Sequence, residues 1–280
     1  MVLTLATLKY SVKRVVKHIA LLLLFVLVLI QQPKDAQGGQ ENRSLYSLSS
    51  DYIASIYRKI DFGTMAQLNP KVFEYAYRGY IHLLWAQKLN PIKQIITVCD
   101  YSLSANLNRL WIIDLATLKV LRNTLVAHGQ ATGEEFASFF SNQEDSHQSS
   151  LGFYVTGDTY FGDNGYSMYL HGMDQHYNDA AFKRSIVMHG ANYVSSDFIK
   201  EHQRLGRSWG CPAVSNELAP EIINTIQGGT CLFIYYPMQR YLNSSVWLQD
   251  QLAPAANICL AMNVPQHPDE EERLQVLGMQ

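Results

Sequence analysis

Ser185–Val214, SIVMHGANYVSSDFIKEHQRLGRSWGCPAV, is the stretch on which the reading of this chain turns. It opens as a strand, because Ile186, Val187 and Met188 form an apolar run that ends at His189-Gly190. It closes on Gly210-Cys211-Pro212, in a segment too polar and too turn-like for a core strand, so the thiol is expected on an exposed tight turn. A thiol on a turn and a histidine at a strand end, 22 residues apart here, are the minimum for nucleophilic cysteine catalysis. The imidazole takes the thiol proton, and the thiolate is the nucleophilic form. A structural cysteine and a core histidine with satisfied hydrogen bonds are the other reading, and spacing does not decide between the two.

Outward from this stretch the chain keeps to short runs rich in Val, Ile, Leu and Tyr. QIITVCD, RLWIIDL, VLRNTLVA, LGFYVTG, YSMYLHG, SIVMHG and CLFIYY are separated by Asn, Asp, Gly and Ser clusters. Seven such runs predict a mainly β domain. One helix is expected near its end, where Leu218, Ile222 and Ile226 share a face before Gly228-Gly229. Upstream the period is helical: Tyr52, Ile53, Ile56, Tyr57 and Ile60 recur until Asp61-Phe62-Gly63. Asn69-Pro70 then reads as a cap and first-turn proline ahead of Val72, Ala76, Tyr80, Leu83 and Leu84, with Asn90-Pro91 as the stop. The expected organisation is a leader over 1–36, a linker and small helical region over 37–92, the β domain over 93–237 and a C-terminal extension over 238–280. DEEE at 269–272 reads as a solvated acidic end.

Composition excludes some classes. In 280 residues the chain carries 22 Lys and Arg against 24 Asp and Glu, so no basic excess exists to neutralise a phosphate backbone, and nucleic acid is not an expected partner. The charge is uneven. Lys9, Lys13, Arg14, Lys17 and Lys34 precede residue 37 with only Asp35 opposing them, and the remaining 17 basic and 23 acidic residues carry −6. Four of those cations, Lys9, Lys13, Arg14 and Lys17, lead with His18 into an unbroken apolar segment of 12 residues, Ile19–Ile30, which has the layout of an export signal and is short of the ~20 residues that span a bilayer. A cleaved signal is the first reading and an uncleaved inner-membrane anchor the second, since neither Ala36 nor Gly39 has a small residue two positions before it. The expected location is the periplasm or cell envelope, with membrane contact only through an uncleaved leader. Of the four cysteines, Cys99 and Cys231 sit in apolar strand-like runs and are expected to be buried and inert, while Cys259 carries no signal.

The segments SIVMHGA and GRSWGCPA resemble the His-Gly and Ser-x-Gly-Cys motifs of the L,D-transpeptidase (YkuD-like) catalytic domain, specifically its second, murein branch. PKVFEYAYRGYIHL, RLWIIDL, TLVAHGQATGEEFASFFSN, SSLGFYVTGDTYFGDNGYSMYLHG and NDAAFKRSIVMHGANYVS match that branch too, so the resemblance covers about Asn69 to Pro237. It implies a mainly β sandwich or barrel with a helical N-terminal region and one helix after the cysteine. It implies Cys211 as nucleophile, His189 as its base, and the main-chain carbonyl of Gly190 orienting the imidazole. Ser208 matches the family serine three positions before the nucleophile, and the N–H groups of Gly210 and Cys211 become oxyanion donors, a role Pro212 lacks the hydrogen for. Three departures from the main branch agree with the second one: Ala213 replaces an arginine, Trp209 stands where a basic residue or histidine is usual, and the His189-to-Cys211 segment is longer. Substrate charge would then be met by Arg207 or Arg184, and Tyr166, Tyr169, Tyr193 and Trp209 are candidates to line a glycan or stem-peptide groove.

The activity implied is attack by the thiolate on the L-centre carbonyl of diaminopimelate in a peptidoglycan tetrapeptide stem, loss of D-alanine, and transfer of the acyl group to an amine. The resemblance leaves the acceptor open among another stem, a cell-wall-anchored protein such as an outer-membrane lipoprotein, and a free D-amino acid. Transfer to water would make the same site an L,D-carboxypeptidase, and a third reading is a peptidoglycan-binding protein without turnover. No cofactor and no metal are implied. His128-Gly129 repeats the His-Gly pair but follows a strand expected to line the cleft, and His171 and His176 show no metal-ligand spacing toward Cys211.

Overall fold

A computed structural model describes residues 48–249. The expected leader over 1–36, Cys259 and the acidic end lie outside those residues. Among the described residues no helix is long and apolar enough to cross a membrane.

Helix α1, Ser50–Tyr57, starts where the Ser49 side chain accepts from Tyr52 N. Helix α2, Pro70–Trp85, starts as its sequence signals require: Asn69 Oδ1 accepts from Lys71 N at 2.8 Å, and Pro70 occupies the first turn where its missing N–H costs nothing. The stop comes at Trp85, five residues before Asn90-Pro91. Val72, Phe73, Ala76, Tyr77, Tyr80, Ile81, Leu83 and Leu84 are all buried, so α2 is enclosed by protein on most of its circumference.

The strands are β1 (Ile95–Asp100), β2 (Leu110–Asp114), β3 (Lys119–Thr124), β4 (Gly152–Gly162), β5 (Gly165–Gly172), β6 (Val187–Ala191), β7 (Ala213–Ser215) and β8 (Cys231–Tyr235). They form one sheet in the order β3-β2-β1-β8-β4-β5-β6-β7. β1 pairs with β8, and β6 with β7, in parallel; the other neighbours are antiparallel. The chain leaving β3 at one edge returns to the other edge, where Ala127 N donates to Ala213 O at 2.8 Å, so the sheet curls into a nearly closed barrel. β8 is buried at all five positions and β1 at five of six, which accounts for their unalternating apolar sequences at the centre of the sheet.

The seven runs read from sequence correspond to β1–β6 and β8. β7 escaped that reading, since three residues after Pro212 carry too little pattern to identify a strand. The helix after the cysteine is α4, Ala219–Ile226, with Ile222, Ile223 and Ile226 buried. Two further helices had no signal. α3, Ser196–His202, buries no residue and so has no apolar stripe, and α5, Gln239–Ser244, is shorter than two turns. One hydrophobic core runs from Ile53 and Leu84 through Val98, Phe153 and Ile222 to Leu248, across the 92/93 and 237/238 boundaries expected from sequence.

Candidate active site

The nucleophile candidate sits on a turn made of backbone packed against backbone. Gly210 has φ +124, and a Cβ there would lie 2.8 Å from Gln148 O and 3.1 Å from Ile186 Cδ1, so only glycine fits both the torsion and the space. On the facing segment, a Cβ on Gly129 would lie 2.5 Å from His147 O and 3.0 Å from Gly210 Cα. The turn is aligned by Ser208 N donating to His128 O and Gln130 N donating to Ser208 O, at 3.0 and 2.8 Å.

Ser208 ties the turn internally. Its hydroxyl donates to Cys211 O at 2.6 Å and accepts from Gly210 N at 3.1 Å. That bond changes the expectation for the oxyanion donors. Gly210 N–H is already used within the turn, whereas Cys211 N–H has no protein acceptor among the described residues. Of the two donors expected from sequence, the second is the free one.

His189 lies in β6 opposite Ala213 of β7, two residues beyond Cys211. One strand spacing and two residues of rise put the Cα atoms of Cys211 and His189 about 8 Å apart. His189 Nδ1 is 2.9 Å from Gly190 O, so Nδ1 carries the proton and donates, leaving Nε2 with a free lone pair. Burial lowers the imidazole pKa below its ordinary 6.5, against the pull of the Gly190 carbonyl. The histidine is therefore a neutral base at pH 7. The carbonyl in contact with the imidazole is that of Gly190, the residue following His189.

The Cys211 thiol takes other partners at rest. Sγ accepts from Val187 N at 3.5 Å and its proton faces Ser185 O at 3.7 Å. Burial raises its pKa above 9.0, opposed by Val187 N–H and then by the Arg184 guanidinium. The resting pair is thiol and neutral imidazole, with no hydrogen bond between them.

Arg184 and Arg207, the expected substrate cations, are occupied with loops. Arg184 donates to Ser141 O, Ser146 Oγ and Gln148 O at 2.8–3.0 Å and to Ser150 Oγ, while its Nε has no partner among the described residues. Arg207 Nη1 donates to Gln130 O, Gly133 O and Glu134 Oε1. Trp209, two residues before Cys211, is 72% exposed, with its ring stacked on His147 at 4.9 Å and 8°. Tyr193 is half-buried, its pKa raised by burial and then by nearby Cys211. Tyr169 is the register partner of Val187, and so stands one strand away from the thiol's amide donor. Tyr166 is directed elsewhere, donating to Asn224 Oδ1 at 2.8 Å.

Sequence reasoning passed over Tyr160 and Ser149. Tyr160 stacks on Tyr169 at 4.5 Å, and its pKa is raised by burial, then by Tyr169 and Cys211. Ser149 lies within the SSLG segment, where two serines before an apolar strand were the available signal.

His128 belongs to the core. It accepts from Arg109 Nη2 at Nδ1, 2.7 Å away, with Nε2 3.3 Å from Gly133 O. Burial and then Arg109 push its pKa down to about 3. His171 stacks on Phe182, His176 lines a separate cavity of about 1040 Å³, and neither accompanies Cys211. Among the described residues no three His, Cys, Asp or Glu side chains converge. None of the catalytic candidates lines that cavity, whose walls include Phe140, Asp174, Tyr177 and Met238. Cys99 and Cys231 are buried and free, with burial raising the first to about 12.

Among solved structures, an L,D-transpeptidase from Mycobacterium smegmatis matches with TM-score 0.32 and 10% identity over 51% of this chain and 59% of that one. The helical cell shape determining protein Pgp2 from Campylobacter jejuni matches with TM-score 0.35 and 13% identity, over 69% and 57%. An Enterococcus faecium L,D-transpeptidase variant matches with TM-score 0.30 and 13% identity, over 51% and 50%. The matched regions thus span between half and three-fifths of those chains. No curated protein matches. The model of the L,D-transpeptidase catalytic domain matches residues 64–235, which takes in α2, the entire sheet and both His189 and Cys211, and the chain belongs to that family.

Proposed function

We propose that the protein is a peptidoglycan L,D-transpeptidase in which Cys211 is the nucleophile and His189 the base. The observation that carries this reading is the 2.9 Å contact between His189 Nδ1 and Gly190 O, on the strand beside the Cys211 turn. It leaves Nε2 basic on β6, whose parallel neighbour β7 begins two residues after Cys211. The reading requires the Cys211 side chain to rotate away from Ser185 O and hand its proton to Nε2, a rotamer change that is fast compared with turnover.

The proton passes from sulfur to Nε2. The thiolate attacks the L-centre carbonyl of diaminopimelate in the donor tetrapeptide, a C–S bond forms, and the carbonyl π pair moves to oxygen, where Cys211 N–H receives it. Collapse breaks the C–N bond to D-alanine, whose nitrogen takes the proton from the imidazolium. An acceptor amine on a second stem, or on a cell-wall-anchored protein, then attacks the thioester. It loses its proton to His189, the new C–N bond forms, and the C–S bond breaks.

Incubation with disaccharide-tetrapeptide tests the reading. Dimer plus free D-alanine is the expected outcome, lost in Cys211→Ala. Tripeptide with D-alanine and no dimer would make the protein an L,D-carboxypeptidase, and retained binding without product would make it a binder. The same reading carries export to the periplasm or cell envelope with it, checked by cell fractionation of the full chain. A cytoplasmic product would remove the substrate.

A further inference from the structure

The mechanism uses a single unoccupied main-chain donor, Cys211 N–H, and the same peptide unit carries Gly210 C=O on its opposite side. That carbonyl is held by a residue the mechanism has not used. Ser149 Oγ donates to Gly210 O at 3.1 Å and accepts from Gly129 N at 3.0 Å. Ser149 is fully buried, and its own backbone is pinned, with N donating to Thr132 Oγ1 at 2.7 Å and O accepting from Ser141 N at 3.1 Å. Ser208 holds the other polar groups of the turn, Gly210 N and Cys211 O.

We infer that Ser149 is a positioning residue whose hydroxyl orients the Gly210–Cys211 peptide so that Cys211 N–H faces the developing oxyanion. C=O and N–H of one trans peptide are antiparallel and coplanar, so fixing one fixes the other. Glycine at φ +124 leaves this peptide free to rotate unless something restrains it. A hydrogen bond to the carbonyl also polarises the peptide and strengthens its N–H as a donor. The inference rests on the thiol being an acyl-transfer nucleophile, and is otherwise independent of the natural substrate.

Two reagents separate this role from a purely structural one. Iodoacetamide alkylates the thiolate by forming C–S and breaking C–I, and no oxyanion arises. p-Nitrophenyl acetate acylates it through a tetrahedral oxyanion, forming C–S and then breaking C–O to release p-nitrophenolate. Both rates at Cys211, followed by mass of the Cys211 peptide, are measured on the full chain for wild type, Ser149→Ala, Ser149→Gly and Ser149→Thr. The expected result is a fall of about 10- to 100-fold in acylation for Ala and Gly, somewhat less than loss of a whole oxyanion donor, with alkylation and its pH profile unchanged and Thr close to wild type. Cys99 and Cys231 staying unlabelled shows that the fold is intact, and either variant that passes this check carries the test. Equal loss of both rates, unchanged acylation, or loss of protection in both variants would overturn the proposal. A wild-type thiol that alkylates but accepts no acyl group would overturn both this inference and the transpeptidase reading. Ester acylation sensitive to Ser149 but no reaction with tetrapeptide would remove the substrate reading alone.

Discussion

His189 and Cys211 rest as a neutral pair, and the physical reason is burial, which for the thiol outweighs the opposing Val187 N–H and Arg184 guanidinium. Desolvation disfavours imidazolium and thiolate alike, so it moves the two pKa values apart, downward for His189 and upward for Cys211. In the proposed mechanism the base form of His189 is required for attack. With its pKa below 6.5, activity is expected to hold across neutral pH and to fall only on an acid limb below 6.5, read from kcat/KM against pH. Iodoacetamide adds a second readout at this scale. Alkylation of Cys211 should keep climbing toward pH 9 and above, because the thiol pKa is raised. A plateau near neutral pH would mean a preformed thiolate–imidazolium pair and would contradict the neutral resting state.

Among the elements, the clearest tie is Asp174, just after β5. Its carboxylate accepts from Phe153 N at 2.7 Å in β4, from Tyr241 Oη at 3.2 Å in α5 and from Ser245 Oγ beyond it, clamping α5 to the barrel. Asp174→Ala would leave a buried N–H and two hydroxyls without their acceptor, a loss of about 2–4 kcal/mol expected from urea unfolding. The carboxyl also titrates unusually. Burial outweighs its three donors and raises the pKa from 3.8 to about 6, so the native state takes up a proton that the unfolded chain does not between those values. This group's contribution to stability is therefore complete below 3.8 and is lost as pH rises through 6. Asp174→Asn should remove that slope, seen as a wild-type minus variant difference that widens on acidification from pH 7 to 4.5. The same scale explains which elements sequence could reveal. α2 announced itself through Asn69-Pro70 and a long apolar stripe; α3, with no buried side chain, had no stripe to read.

At the scale of the molecule, the helical region and the β domain share one core. Tyr77, Tyr80 and Leu83 of α2 are buried together with Val98 of β1 and Phe233 of β8, so the apolar floor of the central strands is α2 itself. Burying one such side chain contributes about 1.5–3 kcal/mol, and α2 supplies eight. A chain beginning at Lys93 is accordingly expected to give no cooperative melt by circular dichroism, with exposed strands β1 and β8 driving aggregation. A sharp transition in that fragment would show that the helices are an appendage.

Local pattern was enough for the elements that bury a periodic face and for the residue types at the site. Seven of the eight strands, α2 with its cap, α4, and the His189-Gly190 and Ser208-x-Gly210-Cys211 motifs could be read in order along the chain, because each depends on neighbours within a few positions. What tertiary structure decided depends on residues far apart in sequence. β7 exists because Ala213 finds β6 and Ala127. Gly210 N–H is consumed because Ser208 turns back on it, and Arg184 and Arg207 are committed to loop carbonyls that no spacing rule connects to them. Ser149 is 61 residues from Gly210, and only the close packing of three backbone segments brings its hydroxyl to the peptide that precedes the thiol. Sequence determined which groups could do the chemistry. The meeting of backbones decided which donor remains free, since a hydrogen-bonding group can be satisfied by any partner that the fold delivers to it.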